Sequence, residues 1–312
     1  MECAAIFQKV SSGGKIRTML NRQKIILELL AQSGKPLTQM IFVKIMFLLS
    51  RESFLGQSGT FYDFMPYKSG PFSFVLYREL RMLRQDGYLA ADEECLRPSA
   101  YFFEETVKKI AALSSEVKAA VRDILLRYGS MDQAHLIKDV YTRYPWFAIN
   151  SELEERNFVN IPKRAQAPKA VYTIGYEGKS VDAFFNELMN LGIQTVIDVR
   201  ANPISRKYGF SRLRLSEICK KLRLGYEHEP SVGIPSQDRK NLSDYGSFVR
   251  LFDKYEQTVL ADNRKAVTRI GLLMNERPSV LICLESDPRL CHRSRLARAV
   301  AMETGLKVVN VG

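Results

Sequence analysis

The sequence predicts an α/β Rossmann-like parallel sheet in its C-terminal half, preceded by a mainly α domain of winged-helix type. Three observations carry this. Beyond residue 170, short apolar, β-branched runs ("AVYTIGY", "QTVIDVR", "SVLICLE", "LKVVNV") alternate with helical segments such as "SVDAFFNELMNLG". Fully apolar strands separated by helices mean a parallel sheet covered on both faces. The first half instead carries apolar residues at helical spacing. Between the two, "ELEERNFVNIPKRAQAPKA" mixes charge with two prolines and loses periodicity. The expected division is a helical, winged-helix-like recognition domain at 1–150, a linker at 151–169 and the α/β domain at 170–312.

In chain order, "RQKIILELLAQSG" predicts a helix stopped by Gly34. "LTQMIFVKIMFLLSRES" is almost wholly apolar and predicts a buried core helix. "FYDFMPYKSGPFS" breaks the pattern with two prolines and Gly70. An amphipathic helix follows from Ser73 to a Gly87 stop, with Phe74, Tyr77, Leu80 and Leu83 on one face and Arg78, Arg81 and Arg84 on another. "YLAADEECLRPSAYFF" alternates and turns like a hairpin. A basic helix followed by a hairpin suggests the winged helix, although the acidic "ADEE" tip is wrong for touching phosphates.

The chain carries a net charge of +12, and eight basic residues against one acid lie between Arg200 and Arg223. That density is the electrostatic footprint expected of a polyanion binder, DNA favoured over RNA. No stretch approaches the roughly 18 apolar residues of a membrane span, and the first 20 residues lack the apolar core of a secretory signal. Five scattered cysteines without a C-x-x-C pair suit a reducing cytoplasm. Three histidines without ligand spacing predict no metal, and no cofactor is expected.

Parallel sheets bind ligands outside the carboxyl ends of their strands. At those ends the sequence delivers Tyr176 and Glu177, then Asp198 and Arg200, then His228 and Glu229, then Cys283 and Glu285. One shared cleft holding Asp198, Arg200, Glu285 and His292 is the expectation. In "LICLESDPRLCHRSRLARA", Asp287-Pro288 predicts the start of the last helix, with Cys291 and His292 in its first turns facing a phosphate. Cys283 and Arg289 have the C-x-x-x-x-x-R spacing of cysteine phosphatases. Glu285 and Asp287 inside that loop would repel a phosphate, so that reading is set aside. Cys291 is read as packing beneath the helix.

Two resemblances add to this. "FYDFMPYKSGPFSFVLYRELRMLRQDGYL", preceded by "LTQMIFVKIMFLL", resembles the Panacea family of SocA-like antitoxin domains over residues 20–100. It implies an interaction or regulatory module, a protein partner through that region and a setting in antiviral defence. "YTIGYEG", "IDVRANPISRKYGF", "GYEHEPSVG" and "ICLESDPRLCHRSRLA" resemble the family known as domain of unknown function four-eight-eight. That resemblance implies a Rossmann-like sheet and puts Asp198, Arg200, Pro203, Ser205, Glu285, Cys291, His292 and Arg293 at motif positions. Val232-Gly233 departs mildly from the family's usual L-G.

Two functions from different classes follow. The first is a metal-independent hydrolase cleaving the N-glycosidic bond of a modified or damaged DNA base. Asp198 and Glu285 would be its carboxylates and His292 or His228 its proton donor. Tyr176, Tyr208 and Phe210 would stack on an extruded base. Arg200, Arg206 and Lys207 would hold flanking phosphates. The second is a non-catalytic regulator or antitoxin-like protein sensing a nucleotide or nucleic-acid end.

Overall fold

The computed structural model describes residues 18–92, 94–100, 103–239 and 244–312. In chain order its first elements are α1 (Asn21–Gln32), β1 (Leu37–Thr38), α2 (Gln39–Glu52), β2 (Met65–Tyr67), β3 (Gly70–Phe72), α3 (Phe74–Gln85), β4 (Cys95–Leu96), α4 (Phe103–Ala111), α5 (Ser115–Tyr128) and α6 (Gln133–Arg143). Then come β5 (Val171–Gly175), α7 (Val181–Leu191), β6 (Thr195–Asp198), α8 (Arg212–Lys221), β7 (Gly225–His228), α9 (Tyr245–Tyr255), α10 (Arg264–Glu276), β8 (Ser279–Cys283), α11 (Arg293–Thr304) and β9 (Val308–Val311). Among the described residues, no helix is long and apolar enough to cross a membrane.

Packing divides the chain into two units, one running to Phe61 and including Glu79–Met131, the other Tyr62–Arg78 with Asp132–Gly312. The sequence pattern places all of 1–150 in one domain. The structure instead assigns 62–78 and 132–150 to the sheet-bearing unit.

The first unit is mainly helical. In α2 every residue from Phe42 to Leu49 is buried, as its all-round apolar character requires, and Thr38 caps it by accepting the Ile41 N–H at 3.3 Å. The expected hairpin is present: Ala90 N–H donates to Arg97 O at 3.1 Å and Ser99 N–H to Tyr88 O at 2.9 Å. Leu96 and Cys95 pair antiparallel with Leu37 and Thr38.

The second unit is built on a five-stranded parallel sheet, order β7-β6-β8-β5-β9. One face packs Tyr172, Ile174, Val196, Val280 and Ile282 against α7 and α8. The other packs Val171, Ile197, Val199 and Leu281 against α9, α10 and α11. Helices on both faces explain why the inner strands are apolar throughout. The β2–β3 segment belongs to the first face, where Met65 and Phe74 join the core and Tyr67 and Phe72 pack on it. Its anchor is Asp182 at the start of α7, which accepts from Ser73 Oγ at 2.9 Å, Phe74 N at 2.6 Å and Val75 N at 3.0 Å. This carboxylate caps the N-terminus of α3 from outside that helix.

The connections leaving β5 and β6 run over the first face, and the one leaving β8 runs over the second. The diverging connections make the carboxyl end of β8 the topological switch point of the sheet, where such folds bind ligands. Gly175 ends β5 there because a Cβ would come 1.9 Å from the Glu285 carbonyl oxygen. The loops after β5 and β8 zip together beyond it: Glu177 N–H donates to Leu284 O at 2.8 Å, and Glu177 Oε2 accepts from Ser286 N at 3.0 Å.

Candidate active site

The residues expected to share one cleft fall into two clusters on opposite faces of the sheet. Strand alternation dictates the split: Asp198 follows Val196 onto the α7–α8 face, and Cys283 follows Leu281 onto the α9–α11 face.

The first cluster is closed. Asp198 is 0% exposed, and both its oxygens are taken. Arg200 Nε donates to Oδ1 at 2.7 Å, Arg200 Nη2 to Oδ2 at 2.6 Å, and Tyr226 Oη to Oδ2 at 2.8 Å. Arg200 Nη1 spends its donors on Tyr176 Oη and Phe210 O, both at 2.9 Å. Burial works against the guanidinium's charge, and Asp198 more than offsets it, raising its pKa. Burial, with the charge of Asp198 second, also pushes the neighbouring Cys219 thiol up to about 12. Tyr176 and Phe210 are buried and stack on each other, centroids 4.2 Å apart, so neither presents a face to a base.

The surrounding residues need similar revision. Tyr208 is half-buried, with the Arg78 guanidinium 4.6 Å from its ring centroid. Lys207 donates to Tyr176 O at 3.0 Å and is half-buried, and Ser205 Oγ accepts the Lys207 N–H at 3.2 Å. Of the three cations expected to hold phosphates, Arg206 alone is exposed. His228 donates from Nε2 to the Arg200 carbonyl at 3.0 Å, which orients the ring at the strand end.

The second cluster lies at the switch point, at the carboxyl end of β8. Cys283, Cys291 and His292 are all buried, and one donor atom from each lies within 4.8 Å of the others. Cys283 Sγ is 3.1 Å from Glu285 Oε2, and Arg239 Nη1 donates to Glu285 Oε1 at 3.3 Å. His292 Nε2 lies 3.2 Å from the Val199 carbonyl, which can only accept, so the proton sits on Nε2 and Nδ1 faces the thiols. Tyr255 packs edge-on against the ring and fastens its own hydroxyl to Val232 O at 2.6 Å. The hydrogen bond from Cys291, then the interactions with His292 and Arg239, hold the Cys283 thiol well below its usual range despite burial. Burial, then the charge of Cys283, raises the Glu285 carboxyl, and burial raises Cys291.

Two expectations about the last helix are corrected. Asp287-Pro288 starts a single 3₁₀ turn, Pro288–Leu290, and α11 begins at Arg293. Cys291 and His292 are each 1% exposed and face no phosphate, and the same holds for Arg293. Its Nη1 donates to Glu285 O, its Nη2 to Ser286 O at 3.0 Å and its Nε to Thr173 Oγ1 at 3.3 Å. It clamps the loop that carries Glu285. Sequence reasoning missed Arg239 and Tyr226 and undervalued Cys283. Tyr226 could have been found by its two-residue spacing from His228 along one strand.

Apart from Tyr176 and the end of α11, both clusters and the helices that frame them lie in one matched segment. Residues 180–300 match the family model described as Domain of unknown function DUF488. No curated protein matches the chain, and no solved structure does. The DUF488 match covers the sheet-bearing unit from the cap of α7 into α11 and does not reach residues 20–100, so the antitoxin-like resemblance rests on its quoted residues alone.

Proposed function

We propose that the sheet-bearing unit is a hydrolase acting on bases of nucleic acid, DNA favoured, and that it cleaves the N-glycosidic bond of a modified or damaged base. The observation that carries this reading is Glu285: a carboxyl with a raised pKa beyond the carboxyl end of β8, set between Cys283 at 3.1 Å and Arg239 at 3.3 Å. A carboxyl whose pKa is raised by burial is shifted in the direction that suits a general acid. Glu285 gives its proton to the leaving base nitrogen as the glycosidic C–N bond breaks. The resulting carboxylate takes a proton from water, whose oxygen bonds to the sugar carbon, and the acid is restored. Arg239 and the Arg293 clamp keep the carboxyl in place.

Asp198, expected from the sequence as a second catalytic carboxylate, has no role in this scheme beyond holding Arg200 and the loop it anchors. The exposed cations Arg206, Arg212, Arg214, Lys220 and Lys221 supply the polyanion-binding surface. In the first unit, α1, β1, α2 and the later turns of α3 followed by a hairpin support a winged-helix module that selects the target. The test is an inventory, by mass spectrometry, of bases released from DNA and RNA carrying natural and modified bases. Glu285→Gln should lower the single-turnover rate on the order of 10²-fold or more. Wild-type protein that releases no base from any of them would leave the sensing regulator as the better reading.

A further inference from the structure

Two thiols, an imidazole nitrogen and a carboxyl converge in the protein interior at the end of β8. Packing alone does not call for this, since a buried thiol is satisfied by apolar neighbours. The geometry points to a binding site for a thiolate-preferring divalent cation, zinc by its chemistry, held by Cys283 Sγ, Cys291 Sγ and His292 Nδ1, with Glu285 beside the open fourth position. This stands on the cluster itself and does not require the glycosidase reading.

Distance comes first. Tetrahedral zinc with bonds near 2.3 Å to sulfur and 2.0–2.1 Å to nitrogen places those donors about 3.6 Å (S to N) and about 3.8 Å (S to S) apart. His292 Nδ1 is 3.9 Å from each sulfur, and the three donor atoms lie within 4.8 Å of one another. A contraction of a few tenths of an ångström between the ring and each sulfur brings both of those distances to the coordinated value.

The tautomer is the second support. Ligating histidines characteristically donate their other ring N–H to a carbonyl or carboxylate, which aims the lone pair. The Val199 carbonyl at 3.2 Å from Nε2 does this, and the edge-on Tyr255 ring holds the plane.

Charge is the third. Two thiolates, the Glu285 carboxylate, the Arg239 guanidinium and a divalent cation sum to zero, the condition a dry interior favours. Arg239 pairs with Glu285 at 3.3 Å, and its looser contact to His292 Nδ1 at 3.4 Å is the one the ion displaces. Three protein ligands with one open position make the arrangement of catalytic rather than structural sites. Water at that position would stand beside Glu285, placed to accept its proton.

The experiment uses the full-length chain, reduced, stripped with chelator and titrated with cobalt(II). One equivalent should bind with the intense ligand-field bands of a tetrahedral ion and thiolate-to-cobalt charge transfer, and zinc should displace it. Cys283→Ser, Cys291→Ser and His292→Ala should each weaken binding by at least about 100-fold, beyond the 10–100-fold that loss of a second-shell partner costs. Cys95→Ala and Cys219→Ala should leave the spectrum unchanged. Wild-type protein with native circular dichroism that shows no thiolate–cobalt bands overturns the proposal, whatever becomes of the variants. So does a Cys283–Cys291 disulfide that re-forms in the presence of cobalt. Base release without metal binding would remove this site and keep the glycosidase; metal binding without base release would do the reverse.

Discussion

Replacing Asp198 by Asn should act on stability before it acts on chemistry. The substitution removes the counter-charge of Arg200, which is 5% exposed and reaches only Tyr176 Oη and Phe210 O besides Asp198. Breaking a buried ion pair by deleting one partner costs about 3–5 kcal/mol, because the remaining charge is stranded. For a unit of this size each kcal/mol lowers Tm by roughly 2–4 °C, so Asp198→Asn should melt roughly 6–20 °C below wild type. Arg200→Met should do the same by stranding Asp198 with the Tyr226 hydroxyl and the backbone N–H of position 200. The double variant Asp198→Asn/Arg200→Met should cost clearly less than the sum of the two, since residues in one ion pair couple. Thermal unfolding followed by circular dichroism, on all four proteins, reads this directly. A fully folded Asp198→Asn protein with unchanged Tm and abolished activity would refute the reasoning and return Asp198 to the reaction.

Other outcomes follow from the same structure. Affinity for nucleic acid should fall steeply with salt, and Arg206→Glu/Arg212→Glu should weaken binding to all sequences alike, lowering the salt slope by about 0.9 for each phosphate that is no longer neutralised. An affinity indifferent to salt would make these residues a solvated surface only. Burial pushes the Asp182 carboxyl up to about 7 against three donors that pull it down. A folded pKa raised above the unfolded value means that this group's contribution is full below about pH 4 and is lost as pH rises toward 7. The Tm of Asp182→Asn should therefore improve relative to wild type from pH 4 to pH 7. A difference that runs the other way would mean that the ionised cap of α3 dominates.

The sheet was legible because its inner strands are apolar on both faces, a pattern few other structures tolerate. The alignment of strands was not. Asp198 lies beside Ile282 in register, so its side chain shares a face with Ile282 and opposes Cys283. Nothing local to "TVIDVR" or "SVLICLE" encodes that pairing, and a shift of one residue would have put both carboxylates on one face. Arg239 was hidden for a similar reason: 46 residues separate it from Glu285. The last helix started late because Pro288 is compatible with a 3₁₀ turn as well as with an α-helical first turn. The two expected stacking rings, Tyr176 and Phe210, found each other instead of a ligand, which sequence spacing could not foresee.

The proposed chemistry sits at Glu285, on the Cys283–His292 side of the sheet. Single-turnover base release by wild type and Glu285→Gln, on the substrate found by the mass-spectrometric inventory, probes it without intermediaries. Both proteins are to be matched for folding by circular dichroism and for nucleic-acid affinity. The expected result is equal binding with a rate lower on the order of 10²-fold or more in the amide variant. A Glu285→Gln protein that binds and releases bases at the wild-type rate would take the reaction away from this carboxyl.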